Sequence, residues 1–304
     1  MKERQTTLNT AFALAGRGLH TGLMVRCEVK PAVADTGIII VRTDMRPQVT
    51  IPALAIYGDD CARGTVLAKN GAKVTTLEHL VSALHGFHID NAVIELNGPE
   101  VPILDGSALP WVEQIRKSGI ATLDAERRYI EFAQPIEAAF GSSTYKVVPA
   151  DDFQVRCTVD FGNSVIGRQQ VELSSLADYE AQIAPCRTFC FLHEVEPLLK
   201  ANLIKGGDLD NALVYVNGDL GDEMRQKLSI AFNKPVDSFQ VRNGLLNTTD
   251  QTFANEPARH KLLDFVGDIR LIGQPVKGHF DIVCPGHKNN LAFVNHILKT
   301  INTK

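Results

Sequence analysis

The sequence predicts an α+β fold with two domains, and three observations lead to this prediction. The chain has 304 residues, about twice the usual single-domain length of roughly 150. Segments that alternate like strands are interleaved with segments of helical periodicity in both halves. A polar stretch at residues 124–128 separates the two halves. We therefore expect one domain at residues 1–126 and a second at residues 127–304, with a single large domain as the alternative.

The first half reads as a sheet with two helices. Its strand-like segments alternate in polarity or form short apolar runs between Pro and Gly turns. Its first helix shows leucine and valine at helical spacing, with the hydroxyls of Thr75 and Thr76 available as an N-terminal cap. The second helix is amphipathic. We predict strands at residues 24–29, 37–41 and 91–96 and helices at residues 77–86 and 110–118.

The second half repeats this style without a visible sequence repeat. The same patterns predict strands at residues 129–132, 145–148 and 153–159 and helices at residues 194–203 and 259–272. Between residues 208 and 255, Gly, Asn and Asp interrupt the pattern and leave one short predicted helix at residues 222–232. We interpret this stretch as an insertion or a lid.

Composition and charge exclude several classes of protein. The formal charge is -4 and no basic run is present, so a nucleic-acid partner is not expected. The six cysteines are scattered without a CxxC pair, which favours free thiols in a reducing compartment. The start lacks a signal-peptide core, and no stretch reaches the roughly 20 apolar residues of a spanning helix. We expect a cytoplasmic protein without stable membrane insertion.

Three polar residues at helical spacing suggest a metal site. His260, Asp264 and Asp268 recur every four residues, and side chains at i and i+4 share one face of a helix. An imidazole and a carboxylate would therefore converge on one point. The alternative for this stretch is a solvated polar stripe with local hydrogen bonds.

Two further sites make the metal interpretation chemically coherent. Glu78 adjoins His79 near a predicted helix start, and neighbours on a helix point about 100° apart, so one side chain could bind metal while the other reaches a water. His287 follows a glycine in a predicted loop, where backbone freedom can aim an imidazole at a cleft. Each feature alone is common among ordinary surface residues.

Together these residues match the requirements of a catalytic zinc. Such an ion takes three N or O ligands and keeps a position for water, whose pKa it lowers to about 7. His79, His260 and Asp264 would be the ligands, and Glu78 and His287 would handle protons. The sequence contains no HExxH, GxSxG or P-loop motif, which argues against the common metalloprotease, serine hydrolase and P-loop arrangements.

Motifs along nearly the whole chain resemble the zinc-dependent UDP-3-O-acyl-N-acetylglucosamine deacetylases of lipid A biosynthesis. They occur in that family's order. The matching segments are Gly18-Leu19-His20-Thr21-Gly22, Thr76-Leu77-Glu78-His79, Asp90-Asn91, Val101-Pro102-Ile103-Leu104-Asp105-Gly106-Ser107, Arg187-Thr188-Phe189, Gly206-Gly207, His260-Lys261-Leu262-Leu263-Asp264 with Gly267-Asp268, and Gly286-His287.

The resemblance implies a role for each site residue. Zinc (Zn²⁺) would be bound by His79, His260 and Asp264, with Glu78 as general base. His287 would be the general acid or the oxyanion-stabilising imidazolium, oriented by Asp268. The remaining residues would act on the oxyanion or the substrate: Thr188 near the oxyanion, Phe189 and Lys261 as sugar and phosphate contacts, and His20 near the substrate.

The resemblance also implies a fold and a substrate. The fold would be two similar α+β domains, each a small, mainly antiparallel sheet layered with helices, with the active site between the helical layers. A β-α-β insert at residues 188–214 of the second domain would form a passage for the acyl chain. Relatives often have Lys or Arg three residues before the loop histidine, where this chain has Cys284. A charge contact to the nucleotide diphosphate would then be missing or supplied by another residue, such as Lys288.

The details of residues 64–67, 203–211 and 255–260 resemble the Bacteroidetes branch, in which the deacetylase is often fused to a hydroxyacyl dehydratase domain. This chain would then be a stand-alone version or an excised deacetylase. The expected reaction is removal of acetate from a UDP-linked acylated glucosamine, a small-molecule substrate. The alternatives are a catalytically silent relative that binds a nucleotide sugar or acyl chain, and a zinc amidohydrolase acting on another N-acetyl sugar.

Overall fold

The chain has a mixed α+β fold with several small sheets. The computed structural model describes residues 3–162, 165–201, 203–246 and 251–302. In the first half, a five-stranded sheet has the order β2-β3-β8-β4-β5. Its strands are β2 (Phe12–Arg17), β3 (Met24–Pro31), β4 (Ile38–Arg42), β5 (Val49–Pro52) and β8 (Ala92–Leu96). Helix α1 (Glu78–Gly86) precedes β8 and α2 (Leu109–Ser118) follows it.

Two short pairs of strands complete the first half. β1 (Arg4–Leu8) pairs antiparallel with β9 (Ile120–Glu126), and β6 (Leu67–Lys69) pairs antiparallel with β7 (Ala72–Val74). The pair formed by β1 and β9 brings the start of the chain beside residues just before the predicted domain boundary at 126/127. That boundary stays a prediction.

The second half contains a sheet with the order β11-β12-β19-β13-β14, and β10 pairs with β19. Its strands are β10 (Ile130–Glu131), β11 (Ile136–Phe140), β12 (Ser143–Val148), β13 (Phe153–Asp160), β14 (Arg168–Leu173) and β19 (Val276–Val283). Helix α6 (Glu256–Arg270) precedes β19 and α7 (His287–Asn302) follows it.

The two main sheets have the same strand order. In each, two antiparallel hairpins flank a central strand that comes last in sequence, and this strand runs antiparallel to one neighbour and parallel to the other. The helix before the central strand is α1 in one half and α6 in the other. These two helices pack against each other, and one continuous apolar core includes residues from both halves.

The stretch interpreted as an insertion or lid contributes three strands to a small separate sheet, whose fourth strand lies before it. Residues 247–250 of that stretch lie outside the described residues. The sheet has the order β15-β16-β18-β17, with β15 and β16 parallel. Its elements, with the short helix that precedes it, are α3 (Tyr179–Gln182), β15 (Phe189–Phe191), α4 (Leu192–Lys200), β16 (Leu213–Tyr215), α5 (Asp222–Phe232), β17 (Val241–Arg242) and β18 (Leu245–Leu246).

The parallel pairing of β15 and β16 around α4 makes a β-α-β unit, as the resemblance implied for residues 188–214. Apolar side chains of this region form a separate core that includes Leu192, Val195 and Phe239. Across the described segments, none of the helices has the length and apolar character required to cross a lipid bilayer.

Candidate metal centre

A close helix crossing brings the predicted site residues together. Glu78 and His79 begin α1, whereas His260, Asp264 and Asp268 lie on one face of α6. A Cβ atom added to Gly267 would lie 2.3 Å from the carbonyl oxygen of Glu78. Glycine at 267 therefore permits a backbone approach between the helices that no larger residue would allow without movement.

Three side chains meet in a buried cluster. The ligand atoms of His79, His260 and Asp264 all lie within 4.8 Å of one another. Asp264 Oδ1 is 3.3 Å from His260 Nε2 and 3.9 Å from His79 Nε2. Two ligands of a tetrahedral zinc, each about 2.0–2.1 Å from the ion, would be separated by roughly 3.4 Å. Asp264 Oδ1 is buried and has no hydrogen-bond partner among the described residues, so the cluster fits a divalent ion.

The surrounding backbone orients the His260 ring. Its Nδ1 donates to the carbonyl oxygen of Cys186 over 3.0 Å, which leaves the Nε2 lone pair directed toward Asp264. An ion pair fixes Arg187, the residue after Cys186, because Arg187 Nε donates to the buried Glu256 Oε1 over 3.0 Å at the start of α6. The carbonyl group that orients the His260 ring thus adjoins a residue held by an ion pair to α6.

The electrostatics favour the protonation states that a metal requires. Burial lowers the pKa of His79 to about 3, and the neighbouring His260 acts in the same direction. Burial alone would raise the pKa of Asp264, but the rings of His260, His287 and His79 and the ammonium of Lys261 lower it below its usual range. The Lys261 Nζ donates to Asp264 Oδ2 over 2.8 Å. Neutral imidazoles and an ionised carboxylate are the forms that bind metals.

Glu78 lies beside this cluster and does not belong to it. Its Oε2 accepts a hydrogen bond from the backbone N–H of Thr65 over 2.9 Å. Burial raises the pKa of Glu78 to about 7, and the carboxylates of Asp264 and Asp268 add to this, whereas His287 opposes it. A carboxylate with a pKa near neutrality suits proton transfer.

His287 occupies the first position of α7, which corrects the prediction that it lies in a loop. The helix begins directly after Gly286, whose carbonyl oxygen accepts from the N–H of Asn290 over 2.7 Å. The turn that ends at Gly286 follows Cys284, which has a left-handed φ of 48°. The sequence around Pro285 and Gly286 indicates a turn but does not show that a helix starts at the next residue.

The imidazole of His287 is surrounded by three carboxylates. Its Nδ1 donates to Asp268 Oδ2 over 3.0 Å, while Nε2 is 3.9 Å from Glu78 Oε1 and 3.8 Å from Asp264 Oδ2. Burial disfavours the charged ring, but the charges of Asp268, Asp264 and Glu78 outweigh it and raise the pKa of His287 to about 9. The ring is therefore a protonated donor at neutral pH.

Two residues that the sequence analysis did not identify add hydrogen-bonding contacts to the pair formed by His287 and Asp268. Thr65 donates its hydroxyl hydrogen to Asp268 Oδ1 and lies 3.2 Å from His287 Nδ1. Asn290 Nδ2 donates to Asp268 Oδ2 over 2.8 Å. Asn290 follows His287 by three residues, so helical spacing could have identified it. Thr65 comes from a loop before β6, and nothing in its local pattern suggests a role.

A pocket of about 180 Å³ opens onto the cluster. Thr188, Phe189 and Lys261 all line it. The backbone N–H of Thr188 donates to the carbonyl oxygen of Gly106 over 2.8 Å. The Phe189 ring centroid lies 6.2 Å from that of His260 and 5.6 Å from Lys261 Nζ. The structure therefore brings these three predicted residues to the metal centre.

His20 is placed differently, because it is not among the residues that line this pocket. Its backbone N–H donates to Glu100 Oε1 over 2.9 Å. Glu100 is fully buried and also accepts a hydrogen bond from the hydroxyl of Thr76 over 2.9 Å. The predicted hydroxyl cap of α1 is therefore wrong. The helix begins at Glu78, so Leu77, whose side chain has no acceptor atom, stands at the N-cap.

Comparison with known proteins gives consistent matches. The family described as LpxC, UDP-3-O-acyl N-acetylglycosamine deacetylase, matches residues 5–229 and 239–299. A bifunctional enzyme LpxC/FabZ of Chlorobaculum tepidum is 42% identical over 97% of this chain and 64% of its own length. A protein of the same name from Porphyromonas gingivalis is 41% identical over 98% of this chain and 65% of its own length. The chain therefore spans slightly less than two thirds of these relatives.

A third relative is covered over more of its length. The UDP-3-O-acyl-N-acetylglucosamine deacetylase of Myxococcus xanthus is 37% identical over 97% of this chain and 86% of its own length. The matched residues include all ten of the predicted site residues, from His20 to His287.

Proposed function

The chain belongs to the LpxC family of UDP-3-O-acyl N-acetylglycosamine deacetylases, and from this premise we propose that it hydrolyses UDP-3-O-(3-hydroxyacyl)-N-acetylglucosamine to release acetate. This is the committed step of lipid A biosynthesis. The observation that carries the proposal is the buried cluster of His79, His260 and Asp264, with Glu78 and His287 beside it. A module that only bound a sugar would not require this set.

We infer that the metal is zinc. Two imidazole nitrogens and one carboxylate oxygen are a donor set typical of catalytic zinc sites. Within the described part of the chain, Oδ1 of Asp264 has no hydrogen-bond partner, as expected of an atom that binds a cation. Zinc bound there would supply a Lewis acid for the acetamide oxygen and lower the pKa of water. Lys261 contacts the other oxygen of Asp264, so Oδ1 remains directed toward the histidines.

Glu78 is proposed as the general base. Its Oε2 is occupied by the N–H of Thr65, which holds the side chain in position and leaves Oε1 directed toward the pocket side, where His287 lies. With a pKa of about 7, this carboxylate can take a proton from water and later release it. General bases of this kind contribute about 10²- to 10⁴-fold to the rate.

His287 is proposed as the acid and Asp268 as the residue that positions it. The hydrogen bond from Nδ1 to Asp268 leaves the Nε2 proton directed at the space between Glu78 and Asp264. There the imidazolium would stabilise the developing oxyanion, together with the hydroxyl of Thr188, and then protonate the departing amine. Such preorganised donors act strongly where water is excluded.

The remaining predicted residues are proposed to hold the substrate. Lys261 and Phe189 line the pocket beside the cluster, as expected for contacts to the phosphate and the sugar. His20 would contact the substrate from the adjacent segment, whose residue Leu19 lines the pocket. We place the acyl passage at the β-α-β unit formed by β15, α4 and β16, whose separate apolar core supports this position.

We further propose two similar domains, residues 1–126 and 127–304, with the active site between their helical layers. The identical strand order of the two main sheets and the packing of α1 on α6 support this division. The free state of all six cysteines is typical of proteins in reducing compartments and supports a cytoplasmic location. By analogy with the bifunctional relatives, an associated hydroxyacyl dehydratase activity is proposed as a partner function.

The proposal is tested by an acetate-release assay on the UDP-linked acylated substrate and on free N-acetylglucosamine, combined with metal analysis. The wild type should release acetate from the first substrate only and contain about one zinc per chain. Comparable hydrolysis of N-acetylglucosamine would indicate a different amidohydrolase. No hydrolysis of either substrate by the zinc-loaded protein would indicate a silent binding protein.

Two variants test the roles of single residues. Glu78→Gln should keep zinc and lose about 10²- to 10⁴-fold in turnover; near-full activity would refute its role as base. Asp264→Ala should lose most of the zinc, because only two ligands remain. Asp151→Ala, at an exposed position, is the matched control and should retain the wild-type zinc content.

A further inference from the structure

A second cavity, of about 230 Å³, lies where residues before and after position 126 meet. It shares no lining residue with the pocket at the metal centre. Three arginines contribute to its wall, together with uncharged hydrogen-bonding side chains. The residues relevant here are Gln5, Thr36, Asn91, Arg127, Arg128 and Arg270.

Arg270 is the most unusual of these residues. It is the last residue of α6 and is only 4% exposed. Among the described residues its guanidinium donates one hydrogen bond, from Nη2 to the carbonyl oxygen of Asp90 over 3.1 Å. Throughout the described ranges, no carboxylate lies within ion-pair distance of it. Burial lowers the pKa of Arg270 to about 10, although the charge of Asp90 acts in the opposite direction, as expected for a buried cation without a carboxylate in direct contact.

The acidic groups at the cavity are already occupied. Asp90 accepts from Arg127 Nε at Oδ1 over 3.0 Å and from the backbone N–H of Thr6 at Oδ2 over 2.9 Å. Asp35 accepts from Gln5 Nε2 over 2.7 Å. Arg128 is exposed, and within the described part of the chain it has no ion-pair partner. Arg127 also pairs with Glu3, whose Oε2 lies 3.9 Å from Arg127 Nη1. Among the described residues, the guanidinium groups at this cavity that lack an ion-pair partner are therefore those of Arg270 and Arg128.

The guanidinium groups in the cavity wall indicate that the ligand carries a phosphate or a similar anion. A guanidinium has five donors in a planar fork that matches the oxygens of phosphate, and charge-assisted bonds of this kind are the strong ones. Arg270 uses one donor, so the others remain available at the cavity wall. The volume is below the roughly 300–1,000 Å³ of pockets for drug-sized ligands, which limits the occupant to a small molecule.

We propose that this cavity binds a phosphate group, with Arg270 as the buried anchor and Arg127 and Arg128 as the outer contacts. The phosphate would provide the counter-ion that Arg270 lacks. It would also join the end of α6 to the loop before β4, where Thr36 lies. Inorganic phosphate and the phosphate of a small monoester share this chemistry.

The test is titration calorimetry of the zinc-loaded protein with inorganic phosphate and with glycerol 3-phosphate, at constant ionic strength. Arg270→Met should weaken binding by about 10- to 100-fold, because a charged hydrogen-bonding partner contributes roughly that factor. Methionine also has no charge to desolvate, so this variant should fold. Phosphate bound at the metal centre would contribute equally to both proteins and cancel in the comparison.

Two further variants and one structure make the result decisive. Arg128→Gln changes an exposed side chain and should weaken binding several-fold, whereas Arg156→Gln, on the surface of β13, should leave it unchanged. A crystal structure of the wild type soaked in phosphate should show the ion on Arg270, which decides the matter even if Arg270→Met fails to fold. Equal affinity in the wild type and Arg270→Met, or an ion located only elsewhere, would overturn the proposal. Tighter binding of glycerol 3-phosphate would identify a phosphate ester as the ligand.

Discussion

Replacing Thr65 by valine tests whether a loop hydroxyl supports the acid of the metal centre. The hydroxyl of Thr65 can only donate to Asp268 Oδ1, because an ionised carboxylate accepts and does not donate. Asp268 in turn holds His287 through Oδ2. Valine keeps the shape of threonine and replaces the donor with a methyl group. Asp268 would retain the donors from His287 and Asn290 and lose the third.

The structure sets the expected magnitude. Thr65 is 1% exposed and Asp268 is 0% exposed, so water cannot replace the missing donor. Hydrogen bonds to charged groups contribute about 1.5–3 kcal/mol, and we expect the free energy of unfolding of Thr65→Val to fall by that amount. Because two of three donors remain, His287 should be displaced only partly, and kcat should fall about 10-fold.

The assay combines urea unfolding with acetate release, both on zinc-loaded protein. Thr65→Ser keeps the hydroxyl and should stay within about 1 kcal/mol and about threefold of the wild type, since it loses only a methyl group. If Thr65→Val unfolded like the wild type and kept its kcat, the hydroxyl would have no role in holding Asp268, and the reasoning would be refuted.

Two other changes probe the helix crossing and its buried histidine. Gly267→Ala would place a Cβ 2.3 Å from the Glu78 carbonyl oxygen, so it should lower the free energy of unfolding by about 1–3 kcal/mol and reduce turnover. In Gly221→Ala the added Cβ meets no described atom within 4 Å, so this control should keep the wild-type turnover and lose only the N-cap preference for glycine, at most about 1 kcal/mol. Equal turnover of the two variants would contradict the close helix crossing. Burial lowers the pKa of His85 to about 3, below its unfolded value of about 6.5, so its contribution to stability is complete above pH 6.5 and decreases as the pH falls toward 3. Between pH 7 and pH 5 the free energy of unfolding should lose roughly 2 kcal/mol through this histidine. Urea unfolding at pH 7 and at pH 5 should therefore show that His85→Gln loses about 2 kcal/mol less than the wild type does. An unchanged pH dependence in the variant would show that the ring is not buried as a neutral group.

Local patterns were sufficient for most elements and for part of the site. The predicted strand at residues 153–159 corresponds to Phe153–Asp160, and the predicted helix at residues 222–232 corresponds to Asp222–Phe232, because alternation and helical spacing are properties of neighbouring residues. The spacing of His260 and Asp264 likewise determined that both lie on one helix face. The predicted hydroxyl cap of α1 is wrong because the helix begins at Glu78, which puts Leu77 at the N-cap, and the Thr76 hydroxyl donates to Glu100, 24 residues later.

The sequence by itself determined which residue types can bind a metal and which of them share a helix face, since 3.6 residues per turn set that spacing. Only the tertiary structure decided that α1 and α6 approach at Gly267, that Cys186 aims the ring of His260, and that Thr65 and Asn290 hold Asp268. These contacts join residues as far as 203 positions apart. They depend on how two sheets of the same strand order pack their helices together, and no local pattern encodes that packing.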